Sequence, residues 1–338
     1  MLARAYAPSP SAAVAVVLNR HARGVTPRMV ERLRRLVPAR DLFVSESVRD
    51  SDAIAAIVIE RGYRAALLGG GDGTFVRCVT DLSAHAQRRG MPVPSLGVLR
   101  LGTGNALAFA LAASEVSEAG LRRDLDRART GGDALLPLLE VDGRLTPFAG
   151  VGLDAAVQQD FAATTRALDR VGVGQRLGAG ARYALAVGLR TVPRYLLSPL
   201  PEITVINRGA PAFRVGAGGA IRGPAVAAGE VLYRGRCSIA TGSTIPYFGL
   251  GMRMFPYCQL VAGRFQLRCA DVPTVEALAH LPSVWRGVYA SRYLSDFLVE
   301  KVELRLETPV AFQIGGDLQD EPRTRVTLAM ARPIRVVR

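Results

Sequence analysis

The chain has 338 residues, 49% hydrophobic and 21% charged, values of a globular protein with room for two domains of ordinary size and a substantial core. No apolar run reaches the roughly 18 residues of a membrane-spanning helix, which excludes an integral helical membrane protein. The formal charge is +14, and because Lys301 is the sole lysine, anions must be met by arginine or by backbone amides. The arginine excess has two readings. One is a genome-wide preference for arginine; the other is attraction to an anionic membrane, worth about 1 kcal/mol per basic residue near the surface. A nucleic-acid partner is not expected, since no aromatic residues interleave with the basic ones to form a stacking platform. Cys78, Cys237, Cys258 and Cys269 lack CxxC spacing and read as buried free thiols of a cytoplasmic protein, and His21, His85 and His280 form no cluster.

In chain order, Val14–Leu18 is a first strand rather than the core of a signal peptide, and it runs into a loop from Asn19 to Gly24. Thr26 followed by Pro27 marks a helix start, with Met29, Leu33 and Leu36 as its apolar stripe. Asp41–Val44 is a second strand ending at Ser45-Glu46-Ser47, and Asp52–Glu60 is a helix stopped by Gly62. A third strand from Ala65 ends in Gly69-Gly70-Gly71-Asp72-Gly73-Thr74. The helix Thr74–Arg89 follows, with Phe75, Val79 and Leu82 on one face. A fourth strand, Leu96–Leu99, leads to Gly102-Thr103-Gly104-Asn105. Strands alternating with helices predict a parallel, doubly wound sheet whose ligand lies at the strands' carboxyl ends. The loops at Asn19, Gly70 and Gly102 then open on one edge. Strand, glycine turn and helix start make an anion site, because glycine allows close backbone approach and the helix N-terminus offers free amides. A carboxylate beside phosphate-binding amides is repelled by phosphate unless a cation intervenes, so Asp72 implies Mg²⁺.

After Gly131 the pattern changes. Leu135–Val141, Gly150–Leu153, Glu202–Asn207, Val231–Arg236, Arg264–Arg268 and Lys301–Leu306 are short strand candidates among turns, with a helical interval at Arg166–Leu197. They predict a second, largely antiparallel β domain. The expected division is residues 1–132 for the α/β domain and 133–320 for the β domain, leaving 321–338 free to pack back on the first.

Gly70-Gly71-Asp72-Gly73-Thr74 resembles the GGDGT signature of the superfamily of diacylglycerol and sphingosine kinases, NAD kinases and, more distantly, 6-phosphofructokinases. Ser95-Leu96-Gly97-Val98-Leu99-Arg100-Leu101-Gly102-Thr103-Gly104-Asn105-Ala106-Leu107-Ala108 is similar to the strand, loop and helix of the lipid-kinase branch, and its ending is nearest the sphingoid-base kinases. The Asn-Glu pair of NAD kinases is missing. The resemblance implies a nucleotide-binding α/β domain joined to a β-sandwich that holds the lipid, with the active site in the cleft between them. It implies ATP and Mg²⁺ as cofactors and transfer of the γ-phosphoryl group to a hydroxyl of a diacylglycerol- or sphingoid-type membrane lipid. Asn19, Ser45, Gly70, Gly71, Asp72, Gly73, Thr74, Gly102, Thr103, Gly104 and Asn105 would bind nucleotide, with Asp72 also holding the metal. Phe148-Ala149-Gly150-Val151-Gly152-Leu153-Asp154-Ala155 resembles a further family stretch, which makes Asp154 a substrate-side candidate. Phe312-Gln313-Ile314-Gly315-Gly316-Asp317 stands where diacylglycerol kinases carry Asp-Gly-Glu, so Asp317 takes the place of the general-base glutamate and Gly315 that of the aspartate. Val76, Arg77, Arg100, Leu101 and Ala106 also depart from the usual pattern. The implied setting is the cytoplasm, peripheral to the inner membrane face, with a homodimer left open. An NAD-kinase-like enzyme and a weakly catalytic nucleotide- or lipid-binding homologue are the alternatives.

Overall fold

The computed structural model describes residues 13–152, 164, 167–170 and 200–338. Four parallel strands open the chain: β1 (Val14–Asn19), β2 (Leu42–Ser45), β3 (Ala65–Gly70) and β4 (Ser95–Arg100), arranged β2-β1-β3-β4. Helices α1 (Pro27–Arg34), α2 (Val48–Glu60), α3 (Asp72–Arg89), α4 (Ala106–Ala110) and α5 (Glu118–Thr130) alternate with them. β1 and β3 are apolar on both faces because helices cover both. Val14, Val16 and Leu18 pack with Met29 and Leu33 of α1 and Leu121 and Leu125 of α5. Ala15 and Val17 face the other way, among Ile54 and Val58 of α2 and Phe75 and Val79 of α3.

The helix starts follow their caps. Thr26 accepts from the Met29 N–H at 3.2 Å with Pro27 in the first turn, and Ser47 accepts from Asp50 at 3.1 Å. The Ser47 cap starts α2 at Val48, four residues before the expected Asp52. Likewise α3 starts at Asp72 rather than Thr74, so Asp72 belongs to the helix's first turn.

Two further strands complete the first sheet. β5 (Asp133–Leu136), just past the expected boundary, pairs antiparallel with β20 (Ile334–Val337), and β20 lies parallel to β4. The single strand expected at Leu135–Val141 is therefore two. Pro137 cannot donate to a ladder, and beyond it β6 (Leu139–Val141) enters a different sheet.

The second domain stacks two antiparallel sheets over one apolar core. One contains β8 (Phe148–Gly152), β10 (Ala212–Val215), β11 (Ile221–Val226), β13 (Ile239–Ser243), β14 (Phe265–Ala270), β15 (Leu294–Val299), β17 (Phe312–Ile314) and β18 (Asp317–Leu318). The other contains β6, β7 (Arg144–Thr146), β9 (Glu202–Asn207), β12 (Val231–Arg236), β16 (Lys301–Val310) and β19 (Arg323–Met330). Phe265 and Phe297 of the first meet Val205, Leu304 and Leu328 of the second. Two short helices, α6 (Thr274–Ala279) and α7 (Leu281–Arg286), lie between β14 and β15. Residues 167–170 are helical, while the remainder of the expected interval Arg166–Leu197 lies outside the described residues, as does Leu153. All four cysteines are buried and free. Among the described residues no helix is long and apolar enough to cross a membrane.

Candidate active site

The loops after β1, β3 and β4 meet at one edge of the first sheet, and glycine lets them touch. A Cβ on Gly102 would overlap the Cα of Gly71, and one on Gly24 would lie 2.7 Å from the Leu101 carbonyl oxygen. That carbonyl accepts the Gly24 N–H at 3.0 Å. Leu101 is thus a buried support for the first loop. A side chain on Gly70 would run into Thr74, whose hydroxyl oxygen accepts from the Asn19 Nδ2 at 3.0 Å. The Thr74 hydrogen stays available to a ligand, as do the first-turn amides of α3, which have no intrahelical acceptor.

Asn105 shapes the third loop. It sits in the left-handed region at φ 53°, its Oδ1 accepts the Gly102 N–H at 2.9 Å, and its Nδ2 donates to the Gly102 carbonyl at 2.8 Å. Its side chain is a scaffold rather than a free donor. Thr103 is exposed at the loop tip. Gly104 faces the second domain, its carbonyl accepting the Leu250 N–H at 2.6 Å. Ser45 is buried and donates to the Leu18 carbonyl at 3.2 Å, so its hydroxyl is engaged within the sheet.

Asp72 bridges two helices. From the first turn of α3 its oxygens accept the N–H groups of Ala106 (3.1 Å) and Leu107 (2.9 Å), capping α4. Burial pushes its carboxyl above the usual range, the two amides oppose that, and the charge of Asp317 adds to it.

Asp317 arrives from the second domain. Gly315 and Gly316, at φ +57° and +86°, form the two-residue turn between β17 and β18, with Ile314 paired to Asp317. Positive φ at both positions is the primed hairpin turn that glycine supplies without strain. The Gly315 N–H donates to the Phe148 carbonyl at 2.9 Å and the Gly316 N–H to Gln313 Oε1 at 2.8 Å. The turn sets the Asp317 carboxylate against Gly73, where any Cβ would overlap it. Desolvation in the cleft raises the Asp317 carboxyl above the usual range, while the cations Arg144 and Arg77 oppose the rise. Arg144 is held by Gln319 Oε1 at 2.8 Å.

The structure therefore brings Asn19, the Gly70–Thr74 loop, the Gly102–Asn105 loop and Asp317 to one cleft. Asp154 lies outside the described residues. Sequence reading did not single out Arg144 as a partner of Asp317. Its signal was a basic residue opening β7, 173 positions upstream, invisible without the three-dimensional arrangement. Arg77 was legible one helical turn after Gly73, though only as a departure from pattern.

Among the described residues, no group of three or more His, Cys, Asp or Glu could cage a metal by itself. The residues do fit a hydrated magnesium ion shared with phosphate, which needs only one or two carboxylates. Asp72 and Asp317 repel one another across the cleft, and each Asp72 oxygen has a lone pair beyond the one its amide uses.

Residues 13–131 match the family model of the diacylglycerol kinase catalytic domain. A search of curated proteins finds no match. Among solved structures, a diacylglycerol kinase from Bacillus anthracis str. Sterne superposes with a TM-score of 0.61 at 11% identity, covering 96% of each chain. Two others from the same organism, provisionally described as diacylglycerol kinases, share 14% identity. One has a TM-score of 0.61 and covers 95% of each chain; the other has 0.60, covering 95% of this chain and 94% of its own. At these identities the likeness shows a common two-domain fold.

Proposed function

We propose, because residues 13–131 match the family model of the diacylglycerol kinase catalytic domain, that the protein is a lipid kinase transferring the γ-phosphoryl group of ATP to a hydroxyl of a membrane lipid of diacylglycerol or sphingoid-base type. The observation that carries this reading is the contact of Asp317, from the β domain, with Gly73, in the first turn of α3. A carboxylate able to take a hydroxyl proton stands beside amides able to hold the phosphate that hydroxyl attacks.

Phosphoryl transfer needs positioning and charge stabilisation more than covalent chemistry. The first-turn amides of α3 and the Thr74 hydroxyl would grip phosphate oxygens, with Asn19 orienting Thr74. Glycines 102 and 104 would let the nucleotide approach the neighbouring backbone. Asp72, with Asp317 across the cleft, would hold or orient Mg²⁺. When bound, the ion supplies positive charge against the phosphate oxygens. Asp317 would accept the acceptor hydroxyl's proton as the oxygen–phosphorus bond forms and the bond from the γ-phosphorus to the bridging oxygen of ATP breaks. Its raised pKa suits a base, and Arg144 and Arg77 help keep it ionised.

The test is direct: purified protein, labelled ATP and Mg²⁺ with diacylglycerol, sphingoid bases, ceramide and a total bacterial lipid extract. Label in a phosphorylated lipid is the expected result. ATP binding with no turnover on any lipid would select a nucleotide-binding homologue, and phosphorylation of NAD alone would redirect the assignment.

A further inference from the structure

The surface around α6 and α7 carries exposed apolar side chains that the fold does not bury. Val275 is 69% exposed, Leu281 45%, Trp285 40% and Val288 66%, all within one short segment. Exposed apolar residues usually occur singly, and a cluster marks an interaction surface. The cluster is flanked by Arg253, Arg286 and Arg292, all exposed. Among the described residues none of these three is ion-paired with a carboxylate. Glu276, an acid whose charge reaches Arg292, is occupied by the hydroxyls of Tyr289 (2.7 Å) and Ser291 (2.9 Å).

Beside this segment opens a groove of about 560 Å³, walled by Arg214, Arg222, Arg292, Tyr257 and Tyr289. Its acidic lining residue, Asp296, is already neutralised by Arg268, which reaches both carboxylate oxygens at 2.8 Å. The groove therefore presents positive charge. Tyr289 joins it to the apolar segment, for it lines the groove while its ring lies 5.5 Å from that of His280, between the two helices.

We propose that this face docks the protein on an anionic phospholipid bilayer, with Trp285, Leu281 and Val288 entering the boundary between headgroups and acyl chains and the arginine groove taking lipid phosphates. Charge complementarity selects the occupant. A bilayer offers phosphate and hydrocarbon within about 10 Å of one another, matching arginines that have no carboxylate partner beside exposed apolar tips. Tryptophan suits that boundary because its ring is both apolar and polar. The face is also tied to the nucleotide loops. Leu250, 42% exposed, donates its N–H to Gly104, and the Arg253 N–H donates to the Trp285 carbonyl at 2.9 Å. This deepens the lipid-kinase reading by locating its membrane contact. It is tested by binding without turnover, so the two can fail separately.

Trp285 is the chain's single tryptophan and reports on its own insertion. With vesicles of phosphatidylglycerol the wild-type emission should shift to the blue and be quenched by brominated acyl chains. In co-sedimentation, Arg222→Glu with Arg292→Glu should lower partitioning onto those vesicles by tenfold or more, since each basic residue at such a surface is worth roughly fivefold. Leu281→Ser with Val288→Ser should lower it on the same vesicles and abolish the spectral shift. A control pair on α2, Val48→Ser with Arg49→Glu, should leave binding within twofold of wild type, and circular dichroism melts should match throughout. Unchanged Trp285 emission on bound vesicles, or an equal loss from the control pair, would overturn the proposal, as would wild-type protein that does not sediment with anionic vesicles at low salt.

Discussion

The carboxylate of Asp317 lies against the backbone of Gly73, so close that any side chain at position 73 would occupy the same space. The glycine of the first domain's loop thus admits a residue of the second domain as well as a ligand. Gly73→Ala should therefore displace Asp317 and lower lipid phosphorylation by about 10²-fold, the scale of a misplacement near 1 Å. ATP binding, measured by calorimetry, should weaken much less. Turnover close to wild type would show that Asp317 is not the group this contact positions.

Asp317→Asn should abolish transfer while ATP affinity changes little, because the side chain acts on the acceptor's proton; Asp317→Glu should retain part of the activity. A rate for the Asn variant equal to wild type would make Asp317 a turn residue and direct attention to Asp154.

The pH profile carries a sign. Asp317 keeps solvent access at the mouth of the cleft, yet partial desolvation by the walls raises its carboxyl above the ordinary carboxylate range, so the base is protonated, and activity lost, at a higher pH than for a free aspartate. Arg144 opposes that shift. In Arg144→Ala the acid limb of kcat/KM should move further up in pH. A limb that stays put or moves down would remove Arg144 from the electrostatics of the base.

Asp72 has a structural duty beside any ligand role. Its two oxygens cap α4 through Ala106 and Leu107, and Asn can accept at only one of them. Asp72→Asn should cost about 1 kcal/mol of stability, the usual worth of a helix cap, as well as about 10²-fold in turnover. A denaturant midpoint unchanged from wild type would show that the cap is dispensable.

The buried pair Arg268–Asp296 gives a test independent of catalysis. Their side chains are 6% and 8% exposed, and removing one partner leaves a desolvated charge. Arg268→Met should destabilise the fold by about 3–5 kcal/mol. The double change Arg268→Met with Asp296→Leu should recover much of that in urea melts. A single variant as stable as wild type would show that water reaches Asp296.

The first domain was legible because its signals are local. Thr26-Pro27, the glycine run after Ala65 and the apolar strands each announce themselves within ten residues, and their loops converge wherever parallel strands share an edge. The second domain was less so. β13, Ile239–Ser243, is a fully buried strand written largely in small residues, and β11 contains Gly223 and Pro224, which read as turn residues but sit on an edge strand. In the site, the approach of Asp317 was readable from Gly315-Gly316, since two adjacent glycines signal a primed turn. Its contact with Gly73 and the influence of Arg144 on its charge join segments 244 and 173 residues apart, which no local pattern encodes. The capping of α4 by Asp72 was missed because the carboxylate and the amides it accepts from are 34 and 35 residues apart.

Strand β20 imposes an order of assembly. The first sheet cannot close until residues 334–337 insert between β4 and β5, so on the ribosome the whole β domain is made while β4 still has an open side. Residues 1–132 expressed alone would expose that side as an unpaired edge, a template for association between chains. The two domains are thus laced rather than strung, and the α/β half matures last although it is synthesised first.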